Sequence, residues 1–407
     1  SLIYSYPKNC GLIILRFTLN IKTQNLINVE KQKKVIVGIS GGVDSSVSAL
    51  LLKEAGFDVQ GIFMKNWTNS APNIECTSEQ DFKDAEEVCD QIGIPLHQAN
   101  FSSDYWDKVF KKFLSDHHAG LTPNPDILCN KEIKFRAFLD YCLETGADFI
   151  ATGHYARLKG DGDYMRLLRG SDPKKDQSYF LHQVLGEDLK KTIFPLGELT
   201  KEQVRSIAQD NNLATSMKKD SVGICFIGKN KYNDFIGNFL GKKPGKILDE
   251  SGEKLGVHDG LMYFTLGQRQ GIGLGGVKGR EQDSWYVAHK DIDSDDLTVV
   301  QGNSHPLLYS DGCYVDDIHW INEEVQENFD CKVQIRYQSE AVRARVSKSS
   351  EGYKVEFIEP QLAVTPGQSA VIYRDDECLG GSIIKDRISK IYYDWAENRG
   401  YNYQAYG

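Results

Sequence analysis

Val35-Ile-Val-Gly-Ile39 runs directly into Ser40-Gly41-Gly42-Val43-Asp44-Ser45, and the reading of these residues decides the fold. All of the first five except Gly38 are β-branched, as a buried strand favours. Residues 45–54 then carry a helical pattern that Gly56 closes. A strand, a glycine turn and a helix in that order aim backbone N–H groups and a helix N-terminus at one point, which suits a polyphosphate. The glycines allow close backbone approach, and Asp44 or Ser45 can hold a metal-phosphate complex or cap the helix. The string has no G-x-x-x-x-G-K-[ST], so it is not a Walker loop.

Outward from the loop, strands are predicted at 59–64, 96–101 and 148–152. Helices are predicted at 78–91, 104–114 and 133–143. This alternation implies an α/β fold with a parallel sheet covered on both faces. After residue 214 the texture changes to glycine-rich turns. Short strands follow at 285–288, 297–300, 331–336, 341–346, 353–357, 369–373 and 381–384, the spacing of a small antiparallel β-barrel. The expected division is an N-terminal extension (1–32), a nucleotide-binding catalytic domain (33–216), a central linker domain (217–300), a C-terminal barrel (301–386) and a tail (387–407). Gly271-Ile-Gly-Leu-Gly-Gly276 matches G-x-G-x-x-G, but it neither follows a strand nor opens a helix and reads as a loop.

With 407 residues the chain exceeds one ordinary core, and its longest apolar runs are far below the roughly 20 residues of a membrane span. The net charge of −9 argues against coating nucleic acid by bulk electrostatics. It leaves room for local basic patches, for which residues 217–220 and 242–246 are candidates. Nine cysteines, an odd number with no C-x-x-C pair, read as those of a reduced intracellular protein. Residues 1–29 carry Lys8, Arg16 and Lys22 and no acidic side chain, which resembles a transit peptide, although arginine is scarce. The expected location is cytoplasmic, or mitochondrial should this segment be a targeting signal.

Two cysteines have a distinctive setting. Cys129 follows Thr122-Pro-Asn-Pro-Asp126, with a helix expected to start behind it near Lys131. A thiol at a helix N-terminus beside lysine is expected to have a lowered pKa, and Asp126 can move protons beside it. A buried apolar cysteine is the equally weighted alternative. Cys225 lies in glycine-flanked sequence, Gly223-Ile-Cys-Phe-Ile-Gly228, suited to carrying a group between two places.

The loop Gly38-Ile-Ser-Gly-Gly-Val-Asp-Ser45 resembles the PP-loop of ATP pyrophosphatases. In order with Met64-Lys-Asn-Trp67, Asn124-Pro-Asp-Ile-Leu-Cys129, Ala151-Thr-Gly-His-Tyr155, Lys175-Asp-Gln-Ser-Tyr-Phe-Leu181, Gly223-Ile-Cys-Phe-Ile-Gly228, Tyr263-Phe-Thr-Leu-Gly-Gln-Arg269 and Thr365-Pro-Gly-Gln-Ser369, it resembles the tRNA-specific 2-thiouridylase family from about Lys33 to Lys385. The resemblance implies ATP in the loop Gly38, Ile39, Ser40, Gly41, Gly42, Val43, Asp44 and Ser45, framed by Met64 and Gly153, with Mg²⁺. It implies a wobble uridine of tRNA held by Asn124, Pro125 and Asp126, and tRNA contacts at His154, Lys175, Asp176, Gln177, Arg336, Tyr337 and Gln368. For His154 the alternative is a histidine that orients a loop.

Catalysis is expected from Cys129, Cys225 and Asp126. Cys225 would carry a persulfide received from a sulfur-relay protein, and a transient Cys129–Cys225 disulfide would follow. Asp126, Cys129 and Cys225 also make three potential iron–sulfur ligands, but without local C-x-x-C spacing a cluster is not expected. The rival readings are a PP-loop ligase acting on a small carboxylate and a sulfur carrier that has lost catalysis.

Overall fold

The computed structural model describes residues 32–68, 78–220, 232–275, 283–323 and 328–401. Its first sheet is parallel throughout. Lys34–Gly38 lies between Asp58–Lys65 on one side and Phe149–Ala151 on the other, with Leu96–Asn100 and Thr192–Ile193 at the edges. Val35 and Val37 are wholly buried and pack with Val47, Leu51 and Leu52 of the helix Val43–Glu54. Helix and strand share that layer because the strand is apolar on both faces, as a covered parallel sheet requires. The chain moves outward from Lys34–Gly38 in one direction and then returns to its other side at Phe149–Ala151. That reversal is a topological switch point, and it opens a crevice at the carboxyl ends of the two strands.

The helices predicted at 104–114 and 133–143 are both longer. The first runs continuously through Ser102–Tyr105, a π-helical turn at Trp106–Phe110 and Lys111–His118. The second runs through Pro125–Leu128, the π-helical stretch Cys129–Ala137 and Phe138–Glu144. The hairpin Ala156–Asp161 and Tyr164–Arg169 was not anticipated. It leaves the parallel sheet and pairs with the C-terminal strand Glu377–Ile388, placing Leu167 opposite Cys378.

Residues 285–291 and 296–301 do not join the C-terminal strands. They build a separate sheet with Gly245–Leu248 and Lys254–His258. The helix Tyr232–Leu240 ties this region to the first domain through aromatic contacts, Phe235 with Trp67 at 5.6 Å and Phe239 with Phe110 at 5.0 Å between ring centroids. Residues 271–275 of the G-x-G-x-x-G candidate form a turn whose Ile272 packs into this domain's core, and Gly276 lies outside the described residues. At the C-terminus Tyr309–Val315, Asn328–Gln334, Val342–Ser349, Gly352–Leu362, Ser369–Arg374 and Glu377–Ile388 form an antiparallel barrel, closed where the first strand pairs with the last. That first strand was missed because Asp311 and Gly312 interrupt its apolar alternation at a bulge.

Beyond the barrel the structure departs from the expected tail. Lys390–Asn398 is a helix capped by the Ser389 hydroxyl, which accepts from the Tyr392 amide. Tyr392 is buried and bonds His289 at 3.0 Å, while Trp395 donates to the Glu250 carbonyl at 3.0 Å. The aromatic residues therefore strap the chain's end onto the middle domain instead of extending from it. Among the described residues no helix is long and apolar enough to cross a membrane.

Candidate active site

The loop Ser40–Ser45 leaves the sheet at the switch point. Gly41 has φ +71°, and a Cβ there would overlap the Asp81 carbonyl, so both backbone conformation and space demand glycine. Gly42 precedes the helix, and among the described residues no side-chain cap hydrogen bond occupies the helix start. The Ser45 hydroxyl instead folds back, accepting from the Ser40 amide at 3.2 Å and donating to the Gly42 carbonyl at 3.1 Å. Ile39 and Val43 are anchored in the core. Met64 and Gly153 do border the loop. A Cβ on Gly38 would lie 3.1 Å from the Met64 methyl, and one on Gly153 would lie 3.0 Å from the Ser45 nitrogen.

Asp44 is the loop's charged centre. It accepts from the Tyr155 hydroxyl at 2.8 Å and from the Lys201 ammonium at 2.8 and 2.9 Å. Lys201 also pairs with Asp220 at 2.8 Å, and Asp220 binds Lys175 and Arg205, each at 2.7 Å. Burial raises the Asp220 carboxyl, but the bonds from Lys175 and Lys201 outweigh it and hold the group at about 2. A carboxyl depressed in this way stabilises the fold fully above its unfolded value, near ~4, and ceases to as pH falls through the folded value. In urea unfolding the native protein should exceed Asp220→Asn near neutrality, and the gap should shrink as pH falls towards about 2. A gap independent of pH would refute this.

Sequence reading missed Lys201, Tyr155 and Asp220. One signal was available: Thr200-Lys-Glu-Gln203 is a capping box, which starts the helix Lys201–Asp210 and so fixes where Lys201 points.

Asn124 caps the helix that carries Cys129, its side chain accepting from the Asp126 amide at 3.1 Å, with Pro125 at the first helical position. The helix therefore starts at Pro125, before the cysteine, not near Lys131. This corrects the expected chemistry: Cys129 is buried in the second turn, and burial pushes its thiol up to about 11, Lys134 opposing and Asp126 adding to the rise. Iodoacetamide alkylation of Cys129 in the free protein should accordingly keep rising well above neutral pH; a plateau by neutrality would contradict the burial. Asp126 is open to water while protein crowds it on most sides, as at the floor of a recess, and this raises its carboxyl, Lys134 again opposing.

Around this recess the predicted tRNA residues divide. Lys175 and Tyr337 lie within electrostatic reach of each other, and Tyr337 within reach of Asp126. Tyr337 rests on Phe180 at 4.3 Å. Gln368 donates to the Thr122 carbonyl at 2.6 Å, fixing the loop that leads to Asn124. The others face inward. Asp176 is buried and takes bonds from Arg169, Gly170 and Ser178, and the Gln177 side chain accepts from the Tyr155 amide at 3.0 Å. Arg336 donates to Leu266 and Thr365, joining the middle domain to the barrel. His154 is enclosed between Phe135 and Phe194, 2.7 Å from the Thr152 hydroxyl, and burial with Lys134 beside it holds the ring well below its usual range.

Most lysines of the two basic runs are engaged within the protein, whereas Lys219 is exposed. Lys218 pairs with Asp81 and Asp84, Lys242 with Asp259 and Lys243 with Asp295. Cys225 lies outside the described residues. Among those described, no three His, Cys, Asp or Glu side chains converge as metal ligands.

A glycine loop at the switch point of a parallel sheet, with a cysteine-bearing helix on the same crevice, defines a nucleotide-binding domain of the HUP class. Residues 33–229 match the tRNA methyl transferase HUP domain family, 233–301 the corresponding PRC-barrel domain and 310–384 the aminomethyltransferase beta-barrel domain. The chain is 52% identical over 355 residues to the tRNA-specific 2-thiouridylase MnmA of Pseudomonas fluorescens, covering 87% of this chain and 95% of that one. It is 51% identical over 360 residues to the protein of that name from Hahella chejuensis, covering 88% and 99%. Among solved structures, the U34-tRNA thiolase NcsA from Methanococcus maripaludis with its [4Fe-4S] cluster overlays at a TM-score of 0.35 and 17% identity, over 56% of this chain and 72% of that one. The chain belongs to the tRNA-specific 2-thiouridylase family.

Proposed function

We propose that the protein is a tRNA-uridine 2-sulfurtransferase that adenylates a wobble uridine with ATP and replaces its C2 oxygen by sulfur. The observation that carries this reading is that the nucleotide loop and the Cys129 helix share one crevice. His154, one residue after the glycine that packs on Asp44 and Ser45, touches the ring of Phe135 on the cysteine's helix.

The uncovered amides of the loop and Lys201 would bind the polyphosphate. Magnesium fits Asp44, since it takes one or two carboxylates and the nucleotide's own oxygens in place of an all-protein cage. When bound it would neutralise phosphate charge. Asn124, Pro125 and Asp126 would hold the flipped uridine at the floor of the recess, and Lys175, Tyr337 and Gln368 would meet the tRNA around it. Asp176, Gln177, Arg336 and His154 would position these groups.

Adenylation forms a bond from the uridine O2 to the α-phosphorus and breaks the bond to the β-phosphate, whose electron pair leaves on pyrophosphate. The N3 proton passes to Asp126, which its crowded setting makes a better base. Sulfur arrives as a persulfide on Cys225, loaded by a relay protein. Either the terminal sulfur attacks C2 and Cys129 then attacks the Cys225 sulfur, or Cys129 attacks first and releases hydrosulfide, which attacks C2. AMP leaves in both cases. A Cys129–Cys225 disulfide remains, and a thiol reductant must open it before the next turnover. A cytoplasmic setting, where thiols stay reduced, suits this cycle.

The direct test incubates the protein with ATP, magnesium, a persulfide donor and unmodified tRNA, followed by nucleoside mass spectrometry. 2-Thiouridine, AMP and pyrophosphate in equal amounts are expected. AMP formation that ignores tRNA would instead support a small-molecule ligase.

A further inference from the structure

Lys134 follows Cys129 by five residues within the π-helical stretch Cys129–Ala137. In an α-helix residues three and four apart share a face and residues five apart do not. The i→i+5 bonding of a π-helix brings such residues over one another, and such turns gather at functional sites. Here the irregular winding includes Phe135, at φ −104° and ψ 15°, directly after the lysine. Lys134 is thereby turned towards the cysteine's side of the helix.

Its neighbours on the stretch are otherwise engaged. Lys131 lies 3.9 Å from Glu132, and Arg136 lies 3.8 Å from Asp140. Half-buried Lys134 forms no ion pair among the described residues. Its charge is felt by Asp126 and Cys129 on its own helix and by His154 on the loop after Phe149–Ala151. His154 directly follows Gly153, which packs against Asp44 and Ser45. Phe135, directly after Lys134, lies 5.7 Å from the His154 ring between centroids, so this turn of the helix abuts the segment that packs on the nucleotide loop. The other charged or titratable groups near Asp126 are Lys175 from the 172–178 turn and Tyr337 from the barrel, while Asp176 of the same turn is buried. Lys175 is committed to Asp220, and Asp176 to Arg169.

We propose that Lys134 is a catalytic residue of adenylation and of AMP departure, its ammonium binding the α-phosphate at the junction of base and nucleotide. The proposal rests on the thiouridylase reading above. In the first step the α-phosphate gains the bond to the uridine O2 and loses pyrophosphate. In the second, sulfur adds at C2 and the C2–O2 bond breaks, its electron pair leaving on the AMP oxygen. Both steps concentrate negative charge at one phosphate, where a fixed cation in a recess acts more strongly than in water. Lysine suits the task as a point charge on a flexible stem.

The test uses the full chain with Lys134→Met and Lys134→Arg, measuring tRNA-dependent AMP release from labelled ATP with a persulfide donor present, alongside tRNA binding. Met should lower kcat for AMP release by about 10²-fold, leave the tRNA Kd within about threefold, and Arg should restore at least about a tenth of the native rate. Unaltered tRNA binding in the same preparation establishes that the Met variant is folded. AMP release by the Met variant at the native kcat would overturn the proposal, as would an Arg variant no better than Met. A native protein without tRNA-dependent AMP release would bring down the thiouridylase reading itself, and that result is visible before any variant is compared.

Discussion

Cys225→Ser and Cys129→Ser will each reduce 2-thiouridine formation by about 10³-fold or more, because a hydroxyl can neither carry a persulfide nor form the disulfide that closes the cycle. Both should still release pyrophosphate from ATP when tRNA is present, since adenylation precedes any sulfur chemistry, and AMP stays on the uridine O2 wherever no sulfur displaces it. The two differ in what accumulates. Cys225→Ser cannot be loaded, whereas Cys129→Ser loaded in the absence of tRNA should retain a persulfide on Cys225, visible by intact-mass measurement as one added sulfur. Thiolation that survives Cys225→Ser would reassign the carrier to another cysteine or to an inorganic source. The buried setting of Cys129, with its thiol held up at about 11, means that the resting protein holds it protonated. Its proton must leave when the persulfide or the tRNA arrives.

Gly41→Ala should be the most damaging single methyl in the nucleotide loop. At φ +71° an L-residue costs about 1–2 kcal/mol, and the new Cβ would also run into the Asp81 backbone, which cannot swing aside as a side chain could. The loop would have to shift, carrying with it the amides that face the polyphosphate. A displacement of about 1 Å can cost about 10²-fold in rate. The expected result is a fall of that size in tRNA-dependent AMP release, with tRNA binding unaffected because the recess at Asp126 is built by a different helix. Gly42→Ala is the control: its φ of −102° is ordinary, and an added Cβ would meet only the Ser40 hydroxyl at 3.4 Å. Equal loss in both would show that the Gly41 geometry is not the cause.

The sequence by itself determined the parallel sheet, the nucleotide loop and the family. Those signals are local: β-branched Val35–Val37, the positive φ that Gly41 must supply, and a helix period that needs no distant partner. It placed Asn124, Asp126 and Cys129 together because six successive residues cannot be far apart. It could not place what depends on neighbours contributed from elsewhere in the chain. Two settings were read for Cys129, a lowered thiol at a helix N-terminus and a buried one, and the fold gives the buried one with its thiol raised, since an N-terminal position in a helix helps only a thiol that burial does not desolvate. The aromatic tail was set aside, but its Tyr392 and Trp395 find His289 and Glu250 in the middle domain. Lys201 and Asp220 gained a role only when folding brought them to Asp44. Tertiary structure alone decided those assignments, because charge, burial and hydrogen bonding act through space and fall off within a few ångströms, whatever the separation along the chain.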